Sequence, residues 1–130
     1  MRQTVKVLMY GDEAECCATS ELLTTVEHLG NHAIECRKLD DDEEFTAQLV
    51  RWEPSLIIVL ADGAAGMECV TQAKMRRPEI PVFWFSDDRN FGMYAYRMNC
   101  AYFSLKPIDT EKLNNAFRRC EHVGIPYLTI

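Results

Sequence analysis

The sequence predicts a single α/β domain, doubly wound, with five βα units forming a parallel five-stranded sheet covered by helices on both faces. Three observations carry that prediction. Residues 56–60, Leu-Ile-Ile-Val-Leu, are an unbroken apolar run, and with no polar alternation neither face is meant for water, which is the pattern of a central parallel strand. Short apolar runs then alternate with helical periodicity five times along the chain, as parallel strands joined by crossover helices require. Finally, the runs end in Gly11-Asp12-Glu13, Asp40, Ala61-Asp62, Ser86 and Lys106. In open α/β sheets chemistry gathers outside these carboxyl ends.

The elements follow in order. Residues 5–10 read as the first strand, interrupted only by Lys6. Residues 14–30 have helical spacing, with Leu22, Leu23, Val26 and Leu29 on one face and Gly30 as the expected left-handed cap. Residues 32–37 are a weaker strand. The acid run 40–44 reads as a solvated loop and a first helical turn favourable to the helix dipole. Phe45, Leu49 and Trp52 carry a short helix towards Pro54. After the central strand, residues 67–77 are helical and Pro78 stops them. Residues 81–86 are a buried strand ending in the Ser86 hydroxyl. A helix from Asp87 to about Asn99 places Phe91, Tyr94, Ala95 and Met98 on its core stripe. Residues 102–105 are the fifth strand. Residues 110–121 are the last helix, with Thr110 as N-cap and Leu113, Ala116, Phe117 and Cys120 buried. Residues 122–130 are left as a tail, so the domain is expected over 1–121.

At 130 residues the chain supports one sizeable core. A net charge of -6 argues against direct nucleic-acid binding by this domain, because phosphate recognition wants a basic patch. No apolar run approaches the roughly 20 residues that span a bilayer. Residues 1–6 lack a cleavable signal pattern, so a cytoplasmic location is expected. The six cysteines form no C-x-x-C pair, which removes redox and zinc-ribbon chemistry and leaves them as small buried hydrophobes. No G-x-G-x-x-G follows the first strand, which removes dinucleotide binding. No enzyme class is supported.

Acids, a hydroxyl and an amine on one edge suit a phosphoryl group and a divalent cation. With the stretch 91–113 (Phe-Gly-Met-Tyr-Ala-Tyr-Arg-Met-Asn-Cys-Ala-Tyr-Phe-Ser-Leu-Lys-Pro-Ile-Asp-Thr-Glu-Lys-Leu), with residues 66–70 and 78–86, and with 7–13, the chain resembles the receiver domain of two-component response regulators over residues 4–121. It is especially similar to receivers ahead of LytTR-type DNA-binding domains, where a Lys-Pro-Ile-Asp segment like that at 106–109 is typical. The resemblance implies the CheY-like, flavodoxin-like (βα)5 fold, a sensor histidine kinase or other signalling protein as partner, and Mg²⁺ beside the phosphoacceptor. Ser86 and Lys106 match the phosphate-contacting pair, Phe103 the switch aromatic and Asp12 a metal-binding acid.

The chain departs from the family at its site. Gly11 stands where the first of two adjacent acids belongs, and the acceptor position falls on Leu60. Asp62, the candidate acceptor, lies two residues further along the same strand face, about 6.6 Å away. Its loop is shorter and lacks the family's proline. These changes predict an atypical receiver that binds Mg²⁺ weakly at most and acts by protein–protein interaction without efficient phosphorylation. The alternative is a phosphorylatable receiver that uses Asp62 and Mg²⁺ to control a DNA-binding output domain. Lys106 is expected to pair with Asp12 and Asp62, adding only ~0–1 kcal/mol. The surface of the fourth helix, fifth strand and fifth helix, with Met93, Tyr96, Arg97 and Arg118, is expected to dock a partner or form a homodimer. Phe103, without a hydroxyl, is expected to rest inward towards Ser86.

Overall fold

A computed structural model describes residues 4–30 and 32–122. The strands are β1 (Thr4–Tyr10), β2 (Ala33–Leu39), β3 (Leu56–Val59), β4 (Val82–Ser86) and β5 (Tyr102–Leu105). The helices are α1 (Glu13–Leu23), α2 (Asp42–Arg51), α3 (Gly63–Arg76), α4 (Gly92–Arg97) and α5 (Thr110–His122). All strand pairs are parallel, in the order β2-β1-β3-β4-β5. The expected doubly wound sheet is therefore present. Its strand order reverses beside β1, so the carboxyl ends of β1 and β3 flank the crevice where such sheets place their chemistry.

Alternation along the strands divides the core into two layers. Val7, Met9, Leu56, Ile58 and Leu60 face α1 and α5, meeting Leu23, Leu113 and Phe117. Leu8, Ile57, Val59 and Trp84 face the other way, towards Phe45, Leu49, Val70 and Ala73. Every residue of β3 is buried, as its unbroken apolar run requires.

Several boundaries differ from the sequence reading. α1 stops at Leu23, because the hydroxyls of Thr24 and Thr25 donate back to the carbonyls of Glu21 and Leu22, each at 2.6 Å. A single 3-10 turn, Glu27–Leu29, then keeps Leu29 and the preceding Val26 in the core. Gly30 is right-handed, with φ -52°, and is not the expected left-handed cap. α3 starts at Gly63, four residues before the predicted start. Gly66 lets the helix seat against the end of β3, since a Cβ there would lie 2.1 Å from the Ala61 carbonyl oxygen. The predicted fourth helix is a 3-10 turn, Arg89–Phe91, followed by the short α4. Asp109 and not Thr110 caps α5, accepting from the Lys112 amide at 2.8 Å. α5 includes His122, and the rest of the predicted tail, 123–130, lies outside the described residues.

Candidate functional site

The site is built where β1, β3, β4 and β5 end. Leu60 follows β3 directly, is fully buried and belongs to the core layer under α1 and α5. Its amide donates to the Tyr10 carbonyl at 2.8 Å, so the backbone is locked against β1. Gly11 makes room for it. A Cβ at position 11 would sit 2.8 Å from Leu60 Cβ, and the glycine φ of 156° is one that side chains rarely adopt. Gly11 and Leu60 are thus one packing arrangement.

Lys106 reaches into the crevice from the end of β5. Its ammonium donates to the Leu60 carbonyl at 2.7 Å and pairs with Glu15 at 2.7 Å and Asp62 at 3.0 Å. The side chain is 15% exposed. Burial acts to lower the lysine pKa, but the hydrogen bonds and charges of Glu15 and Asp62 outweigh it, so the net shift is upward. Asp62 also accepts from the Asp87 amide at 3.2 Å. Its single carboxylate therefore ties the loop after β3 to the loop after β4 and to the lysine after β5. Ser86 is buried at the end of β4, with its Oγ accepting from the Asp88 amide at 3.2 Å and its carbonyl accepting from the Lys106 amide at 2.9 Å.

The structure brings Asp62 and Lys106 together, with Ser86 on the adjoining loop. It assigns Asp12 elsewhere: its carboxylate accepts from the Glu15 amide at 3.2 Å as the N-cap of α1, and the partner expected from Asp12 is supplied by Glu15. The Asp12-x-x-Glu15 spacing is a capping-box signature that could have drawn attention to Glu15. Here the glutamate turns to the lysine. Phe103 is half-buried and lines a surface pocket with Ala95 and Tyr96. Its ring stands edge-on to Trp84, with centroids 5.4 Å apart and planes at 83°, and it lines the space over Gly92.

Mg²⁺ takes an octahedron of oxygens, usually one or two carboxylates completed by waters. Two of the carboxylates at this edge already hold an ammonium, and a third caps a helix. Among the described residues no group of three or more His, Cys, Asp or Glu side chains could hold a metal ion.

On the outer surface, Met93 is 65% and Tyr96 77% exposed. Arg97 and Arg118 are also exposed. No helix among the described residues is long and apolar enough to cross a membrane.

No family model matches the chain, and no curated protein matches it. Solved structures do. The apo receiver domain of nitrogen regulatory protein C is 19% identical with a TM-score of 0.67, covering 95% of this chain and 99% of that one. A response regulator receiver domain protein from Clostridium thermocellum is 18% identical with a TM-score of 0.68, covering 92% and 98%. The chemotaxis response regulator CheY4 of Vibrio cholerae is 17% identical with a TM-score of 0.69, covering 90% and 98%. With the strand order and the helices on both faces, this likeness establishes that the chain has the flavodoxin-like (βα)5 fold of response regulator receiver domains.

Proposed function

We propose that this chain is an atypical receiver module of a two-component system, acting by protein–protein interaction in the cytoplasm and not as an enzyme. The observation that carries this reading is the place of the Asp62 carboxylate. It takes hydrogen bonds from Lys106 and from the Asp87 amide. In the receivers that the chain resembles, the lysine and hydroxyl meet phosphate oxygens. Here the Asp62 carboxylate ties Lys106 to the loop after β4 with no phosphoryl group. Leu60 fills the acceptor position with a packed side chain, and the half-buried Phe103 ring stands against Trp84. The surface formed by α4, β5 and α5 is therefore held in one state and offered to a signalling protein without a phosphorylation step. The Lys-Pro-Ile-Asp segment favours a transcriptional output of the LytTR type.

A second reading keeps Asp62 as an acceptor, favoured by its 44% side-chain exposure and its contact with Lys106. Mass spectrometry after treatment with acetyl phosphate and Mg²⁺ decides between them. The expected result is no gain of a phosphoryl group. Stoichiometric phosphorylation that disappears in Asp62→Asn would establish the second reading.

A further inference from the structure

The charges of this chain are segregated. Residues 40–44 are five consecutive exposed acids at the start of α2. They run into a groove of about 390 Å³ between α2 and α3. Asp42, Glu43 and Glu68 stand along it, with the Phe45 ring and the Cys69 thiol beneath and Arg76 as its single cation. Arg76 is held by Gln72 of its own helix at 3.1 Å. At the far edge of the sheet, beyond β5, the opposite composition appears. Arg89, Arg97, Arg118 and Arg119 are exposed and make no ion pair or hydrogen bond among the described residues. Met93 and Tyr96 protrude among them. Asp109 and Glu111 lie at the other end of α5 from Arg118 and Arg119, while Glu121 follows them in the helix and Asp87 and Asp88 precede Arg89.

The four exposed arginines give this face a surplus of positive charge, whose electrostatic complement is an acidic surface. The acidic groove is the complementary surface, and it leaves the basic face free to be used at the same time. We propose that a second copy of this chain docks its α4–β5–α5 face, led by Tyr96 and Arg97, into the α2–α3 groove of the first. The contact is head-to-tail. The docked pair still offers one groove and one basic face, so assembly continues unless the rotation closes a ring. This rests on the reading of the α4–β5–α5 face as a docking surface, and it names the occupant.

The test is sedimentation velocity of the 130-residue chain at rising concentration. The wild type is expected to form species larger than a dimer, lost in about 1 M salt, where screening contracts to about 3 Å. Arg97→Glu with Arg118→Glu removes one surface, and Glu43→Lys with Glu68→Lys removes the other. Each variant alone is expected to be monomeric. Mixed in equal amounts they are expected to form a dimer that grows no further, since one keeps only the groove and the other only the basic face. A wild type that is monomeric at every concentration overturns the proposal. So does a groove variant that associates as well as the wild type, which would indicate symmetric pairing, and so does a mixture that stays monomeric. If circular dichroism shows a reversal variant to be unfolded, the neutral pair Glu43→Gln and Glu68→Gln replaces it, and unchanged association then overturns the proposal. None of these outcomes depends on Asp62, so the phosphorylation experiment fails or succeeds separately.

Discussion

At position 60 a leucine is buried where the fold's relatives by resemblance keep an acid, and its side chain is part of the core under α1 and α5. Leu60→Ala should cost about 2–5 kcal/mol in urea unfolding, the range for a truncated core leucine. A near-neutral result would mean that the site is slack enough to host other chemistry. Lys106 is more deeply engaged than a surface pair, because its ammonium serves the Leu60 carbonyl as well as two carboxylates. Lys106→Met is therefore expected to cost about 1.5–3 kcal/mol, the range for hydrogen bonds involving a charged group. That exceeds the small cost the sequence alone suggested. The difference has a physical source: Glu15 and Lys106 are brought together only by the fold, with α1 and α5 side by side on one face of the sheet, and no local pattern encodes that meeting. Leu60, by contrast, was legible as buried from its run of apolar neighbours.

Among the elements, those with strong periodicity were read well and those governed by local hydrogen bonds were not. β3 and α5 follow their apolar patterns. The end of α1 is decided by two threonine hydroxyls that compete for helix carbonyls. The start of α3 lies in Gly63-Ala-Ala-Gly66, which carries no apolar stripe to read. Asp12 belongs to this scale: it caps α1 through the Glu15 amide. Asp12→Ala should lower stability by about 1 kcal/mol, and Asp12→Asn or Asp12→Ser should retain most of it, as interchangeable N-caps do. Thermal melts with and without Mg²⁺ check this, and an effect that appears only with Mg²⁺ would reassign Asp12 to a metal.

For the whole molecule, the six cysteines are unpaired and set an alkaline limit. Burial pushes the Cys16 thiol up to about 11, and those of Cys100 and Cys120 up to about 12. The folded chain keeps these protons over a range in which the unfolded chain, with thiols near 8.5, gives them up. Their contribution is fully present below that unfolded value and is lost as pH rises through 11 to 12. Lys106, also shifted upward, loses its ion pairs on the same side. The urea midpoint under reducing conditions should therefore fall between about pH 8 and pH 10.5. Cys100→Ala with Cys120→Ala should flatten that fall. An unchanged slope would show that these thiols titrate as if unfolded.

The close approach of Gly11 to Leu60 bears on the history open to this domain. Any side chain at position 11 meets Leu60 Cβ at 2.8 Å, and every residue but glycine carries that same Cβ at position 60. An acid introduced at position 11, alone or together with one at position 60, meets this collision until the backbone itself moves, whereas an acid at position 60 alone does not. A pair of acids at positions 11 and 60 is therefore closed to side-chain exchange alone and open only to a change in the course of the backbone.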